Sequence, residues 1–165
     1  MKPGDLWRRN LSLHVDNNPA WICLVVSEKE NNEHDLTDPE KEAGDSSTPQ
    51  GELGGNVHLL GWIDSNANGK FNPGEKKFAD SFFDVFTELA IRDSTTGNGS
   101  LSPTIPVEML QMTLCAGTPI VGDNGTVTCN GSSMGDQSQT DSLVADIQLY
   151  AVQERNNPNF KCVRR

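Results

Sequence analysis

The chain has 165 residues, of which 35% are hydrophobic, a formal net charge of -10 and a pI near 4.6. That length suits one domain with a real core, and the modest apolar fraction assigns much of the chain to loops. The acidic balance repels phosphate backbones and anionic lipid, which argues against nucleic acid as a partner, and no apolar run approaches a membrane span, so no membrane insertion is expected.

Residues 1–5 open in turn-like sequence, Met-Lys-Pro-Gly-Asp, with no visible signal peptide; the chain is either trimmed or not exported. Residues 11–15 alternate apolar and polar, as a half-buried strand does. Residues 21–26, from Trp21 to Val26, form a continuous apolar run of strand length. A turn cluster at 16–19 lies between them, so the two runs are read as neighbouring strands. Residues 28–55 are polar and acid-rich, a loop of functional length. Its carboxylates Glu40, Glu42, Asp45 and Glu52 could hold a second cation, although a solvated acidic loop is the plainer reading.

Residues 57–63 read as a strand running straight into residues 64–75, DSNANGKFNPGE. This segment fits the calcium-loop pattern D-x-[DN]-x-[DN]-G-x5-E at every position. Asp64, Asn66 and Asn68 occupy positions 1, 3 and 5, and Gly69 occupies position 6, where the chain turns sharply. Lys70 at position 7 offers its carbonyl, Asn72 at position 9 acts through water, and Glu75 at position 12 can bind with both oxygens. A hard cation needs this set of oxygens at this spacing. The alternative is a polar connection with two turn dipeptides, Asn68-Gly69 and Pro73-Gly74.

Farther along, Phe82, Phe83, Phe86, Leu89 and Ala90 fall at helical spacing, which predicts a short amphipathic helix over 80–90. Residues 95–100 read as a flexible connection, and residues 107–114 as a strand. Residues 126–129, framed by Gly125 and Gly131, read as the return strand of a hairpin. Residues 142–152 are the clearest long strand, with Leu143, Ala145, Ile147, Leu149 and Ala151 as the expected buried face. Mostly strands separated by turn signals predict an all-β fold over residues 1–165: a jelly-roll-like β-sandwich with a short helix and long loops.

The four cysteines favour export. No C-x-x-C occurs, so zinc ribbons and thioredoxin-like motifs are not indicated. An even count at wide spacing points to two disulfides in an oxidising compartment, against buried free thiols in the cytosol. Of three possible pairings, Cys115–Cys129 and Cys23–Cys162 are preferred: one closes a hairpin-sized loop, the other ties the tail to an early strand. No catalytic motif is present. His14, His34 and His58 are scattered singly, with His14 and His58 in expected strands, and they do not make a zinc-peptidase signature. Four N-x-[ST] sequons, at Asn10, Asn98, Asn124 and Asn130, are weak evidence for glycosylation in so polar a chain.

Read together, the opening Pro3-Gly4-Asp5 turn with a strand and Asn18-Pro19-Ala20-Trp21 after it, Gly51-Glu52-Leu53, Gly61-Trp62-Ile63-Asp64 entering the calcium loop, residues 138–142 (SQTDS) and residues 150–153 (YAVQ) resemble the TasA/camelysin family. The resemblance implies an exported jelly-roll sandwich of the cell surface or biofilm matrix, assembling into fibres in several members. Some members carry a metallopeptidase label. Family members usually have a signal peptide and a further strand before the Pro-Gly-Asp turn, and this chain begins at that turn. In fibre formers that strand completes a neighbour's sheet, so the full-length protein is expected to self-associate by strand donation, and the chain as given to act as acceptor. The expected function is non-enzymatic: a calcium-stabilised extracellular or cell-surface structural protein. The rivals are an adhesin or carbohydrate-binding module, which needs a groove of exposed aromatics, and a secreted metallopeptidase, which needs tightly bound zinc.

Overall fold

The structure is a computed structural model and describes residues 1–46, 48–104 and 107–162. In chain order the strands are β1 (Leu6–Leu13), β2 (Ala20–Asn32), β3 (Val57–Ile63), β4 (Lys77–Phe82), β5 (Glu88–Arg92), β6 (Glu108–Ala116), β7 (Thr118–Val121), β8 (Val127–Asn130) and β9 (Ser142–Gln153). Two short helices, α1 (Asp38–Glu42) and α2 (Leu53–Asn56), lie between β2 and β3. One antiparallel sheet has the order β1-β6-β3-β4, a second has β5-β2-β9, and β7 and β8 form a separate hairpin. The fold is an all-β sandwich.

The main core lies between the two larger sheets. Alternate residues of β2, namely Ala20, Ile22, Leu24 and Val26, share one apolar cluster with Leu59 and Ile63 of β3 and Leu110 and Met112 of β6. Their spacing of two puts one face of each strand inward. The odd positions of β2 are covered too: Cys23 is fully buried, and the Trp21 indole donates to the Asn157 carbonyl at 2.8 Å. Strand β3 is also covered on both faces, which explains why it is a continuous apolar run rather than an alternation. Its second face, Leu60 and Trp62, packs with Val127 of β8, Leu6 and Phe71 in a smaller cluster. The hairpin and residues 64–75 thus form a third layer on the outside of the first sheet. Gly61 is required here because the Phe78 ring lies where a side chain would stand, 2.4 Å from a Cβ built at that position.

The disulfides join Cys23 to Cys162 and Cys115 to Cys129, with Cα separations of 5.8 and 5.5 Å, the same two pairs preferred on spacing. The first pins the C-terminal tail against the central strand of the second sheet. The other holds the hairpin to β6.

Several expectations are corrected. Residues 80–90 do not form a helix: β4 ends at Phe82, a 3-10 turn spans Phe83–Val85, and β5 follows. Phe83 and Phe86 are buried, whereas Phe82 is 42% exposed. The helical spacing arises because a corner between the sheets turns two aromatics inward. The backbone of β2 needs a partner along this edge, and pairings such as Leu24↔Leu89 and Cys23↔Ala90 supply it. Strands β1 and β2 are not neighbours, since the 16–19 turn carries the chain from one sheet to the other. Residues 28–55 are not a structureless loop: β2 runs on to Asn32, and α1 and α2 follow. His14 lies past the end of β1 rather than within a strand. In β9, Leu143, Ala145 and Leu149 pack on the core, but Ile147 and Ala151 are exposed, because β9 is an edge strand with cover along only part of its length.

Candidate calcium site

Residues 64–75 connect β3 to β4 across the outside of the first sheet. Asp64 directly follows β3 and is 1% exposed. Its Oδ1 accepts the Asn68 N–H at 3.1 Å, and its Oδ2 accepts the Gly69 N–H at 2.7 Å and the Gln111 side-chain amide at 2.9 Å. Gly69 has φ +72°, the left-handed turn that position 6 of a calcium loop requires. Asn66 Oδ1 accepts the Asn68 N–H at 3.2 Å, and Asn68 Oδ1 accepts the Lys70 N–H at 2.8 Å. These short-range bonds link the side chains of Asp64, Asn66 and Asn68 to the backbone of the loop's tight turn.

The Asn72 side-chain amide donates to Asn68 Oδ1 and to the Lys70 carbonyl, both at 3.1 Å, so positions 5, 7 and 9 converge. Glu75 closes the ring. Its Oε1 accepts the Ser65 N–H at 3.0 Å, and its Oε2 accepts the Asn72 N–H at 2.8 Å. Among the described residues neither Asp64 nor Glu75 is ion-paired. Hydrogen bonds thus link Asp64, Asn66, Asn68, the Lys70 carbonyl, Asn72 and Glu75 within one loop, and their oxygens are of the kind a hard cation takes.

The loop is fixed to the sandwich by residues that pattern matching missed. Trp62 donates its indole N–H to the Lys70 carbonyl at 3.2 Å, and its ring meets Phe71 edge-on at 6.0 Å between centroids. The Phe71 N–H donates to the Gly125 carbonyl at 2.9 Å, tying the loop to the β7–β8 hairpin. The apolar Phe71 inside an otherwise polar loop was the available signal. Gln111 lies 47 residues from Asp64, and nothing local could have revealed that contact.

The histidines do not gather. His34 meets the Ser142 hydroxyl at 2.8 Å, His58 meets Asp80 at 2.9 Å, and His14 is exposed. Burial works against the Asp80 carboxylate, but Lys77 and His58 outweigh it and hold its pKa below the usual range. Among the described residues, no cluster of potential metal ligands contains a histidine. Of the acids singled out at 28–55, Glu42 is exposed and outside any such cluster, whereas Glu40, Asp45 and Glu52 fall into clusters with Glu33 and, for Glu40, also Asp141. Among the described residues no helix is long and apolar enough to cross a membrane. No protein-family model, characterised protein or solved structure matches the chain.

Proposed function

We propose that the protein is a non-enzymatic structural component of cell-surface or biofilm-matrix fibres, exported and calcium-stabilised, as the resemblance to the TasA/camelysin family implies. The observation that carries this reading is two open sheet edges, β1 in one sheet and β9 in the other, each with one paired neighbour. Among the described residues, β1 pairs only with β6, and β9 only with β2. Strand β9 is 12 residues long and exposes Val144 and Ile147, whereas proteins that stay single blunt such edges. A strand donated by another copy would gain main-chain hydrogen bonds along either lane. Two disulfides suit an oxidising, extracellular-type setting.

Electron microscopy of the full-length exported protein, in millimolar calcium and in EDTA, tests the assembly. Filaments in calcium are the expected result, and a species that stays monomeric at every concentration in both conditions overturns it. The loop has its own test. With only Asp64 and Glu75 charged, it should bind calcium with a dissociation constant on the order of 0.1–1 mM. At calcium tenfold above that value the fold should gain about 1.4 kcal/mol. Calorimetry on Glu75→Gln should lose the weak binding heat. A variant that binds like wild type would remove calcium from the reading.

A further inference from the structure

A second group of carboxylates comes from α1, the segments flanking α1 and α2, and the residue before β9. Glu33 follows β2, Glu40 is in α1, Asp45 follows the Gly44 turn, Glu52 precedes α2, and Asp141 precedes β9. They form two triads, Glu33–Asp45–Glu52 and Glu33–Glu40–Asp141, each with ligand oxygens within 4.8 Å of one another. Two oxygens bound to the same calcium ion at 2.3–2.6 Å lie no farther apart than about 5 Å.

These are not solvated surface acids. Glu40 is fully buried and Glu33 is 8% exposed. Glu40 Oε1, Glu33 Oε2 and Asp141 Oδ1 are buried oxygens without a hydrogen-bond partner, and none of the three residues is ion-paired among the described residues. The opposite oxygens are the ones used to hold the carboxylates in place. Glu40 Oε2 accepts the Thr37 N–H at 2.6 Å, and Asp141 Oδ2 accepts the N–H groups of Glu52 and Leu53 at 2.6 and 3.0 Å. The backbone also makes room: a Cβ on Gly51 would lie 2.5 Å from Asp141 Oδ1. Burying carboxylates this close is costly unless a cation joins them or a proton is shared, as Glu33 and Asp141 are placed to do.

We propose that this cluster is a second calcium site, independent of the 64–75 loop, with Glu33 as the ligand common to both triads. The all-oxygen donor set selects a hard cation, and either triad offers three carboxylates that water can complete to the six to eight oxygens calcium takes more readily than the strict octahedron of magnesium. Carrying more carboxylates than the loop, this site should bind at least about tenfold tighter. Bound calcium would lock β2, α1, α2 and the start of β9 together.

The test uses the whole chain with Glu75→Gln, which disables the loop and leaves this cluster intact. Calcium chloride added to EDTA-treated Glu75→Gln, at about the wild-type loop's dissociation constant and so about tenfold above that of this site, should raise its melting temperature by about 4 °C. Adding Glu33→Gln should abolish the shift without lowering the melting temperature in EDTA, because it also removes a repelling charge. An identical melting temperature of Glu75→Gln in EDTA and in calcium, or a shift that survives Glu33→Gln, overturns the proposal. If the double variant does not fold, equilibrium dialysis of Glu75→Gln with radioactive calcium decides. At least one tight calcium per chain is expected, and none overturns the site while leaving the loop reading untouched.

Discussion

Removing the Cys23–Cys162 cross-link, as Cys23→Ala with Cys162→Ala, is expected to destabilise the fold by about 5 kcal/mol in the chain-entropy account of disulfides. The bond closes a loop of sequence separation 139, so it restricts nearly the whole unfolded chain. The Cys115–Cys129 bond, of separation 14, should contribute only about 3 kcal/mol by the same argument. Alanine is the right substitute at position 23, which is fully buried, because a serine hydroxyl there would add a desolvation cost of its own.

The tail has other anchors, which should limit the damage to the native state. Asp93 accepts the Cys162 N–H at 3.1 Å, and the Ser94 N–H donates to the Phe160 carbonyl at 2.9 Å. Burial opposes the charge on Asp93, yet bonds from the Thr95 hydroxyl and from the N–H groups of Thr95, Cys162 and Thr96 prevail and hold its pKa below the usual carboxylate range. Urea unfolding of the two double variants measures both costs. If removing Cys115–Cys129 costs more than removing Cys23–Cys162, loop closure does not set the stability of this fold, and direct packing of the hairpin on Trp62 does.

Parts of this architecture were legible because their causes are local. Strand β3 announces itself as an apolar run, and the sharp turn within 64–75 through Gly69, whose φ is +72°. The two cysteine pairs could be chosen because one spacing matches a hairpin. The helix expected over 80–90 failed for a physical reason. Phe83 and Phe86 are spaced for a helical face, but they line a corner between sheets, and the hydrogen-bonding demand of β2 draws Glu88–Arg92 into a strand. Periodicity reports which side chains turn inward and not which backbone partner is waiting. The acidic cluster was only half visible. Glu40, Asp45 and Glu52 stood out in a polar stretch, but Asp141 comes from a segment 89 residues beyond Glu52 in the chain. Its role depends on β9 lying beside β2, a pairing no local pattern encodes.

The other large effect belongs to Arg92 and Glu108. Arg92 ends β5 in one sheet and Glu108 begins β6 in the other, so their ion pair spans the sandwich near its rim. Both residues are buried, at 8% and 5% exposure. Arg92 Nε donates to both Glu108 oxygens at 2.8 Å, Nη2 donates to Oε2, and Nη1 donates to the carbonyls of Asn98 and Gly99. Breaking such a pair leaves a charge buried without its partner, which costs about 3–5 kcal/mol. Glu108→Ala is therefore expected to destabilise by that amount, and Arg92→Met somewhat less, because a lone carboxylate at the rim can take up water or a proton. Replacing both, Arg92→Met with Glu108→Leu, should recover most of the loss, since two apolar side chains need no partner there, although the Asn98 and Gly99 carbonyls lose their donor. Urea midpoints of the two single variants and the double one close the cycle. A double variant as unstable as Glu108→Ala would mean that the guanidinium's hold on the 98–99 turn, and not the burial of unpaired charge, is what joins the two sheets at this end.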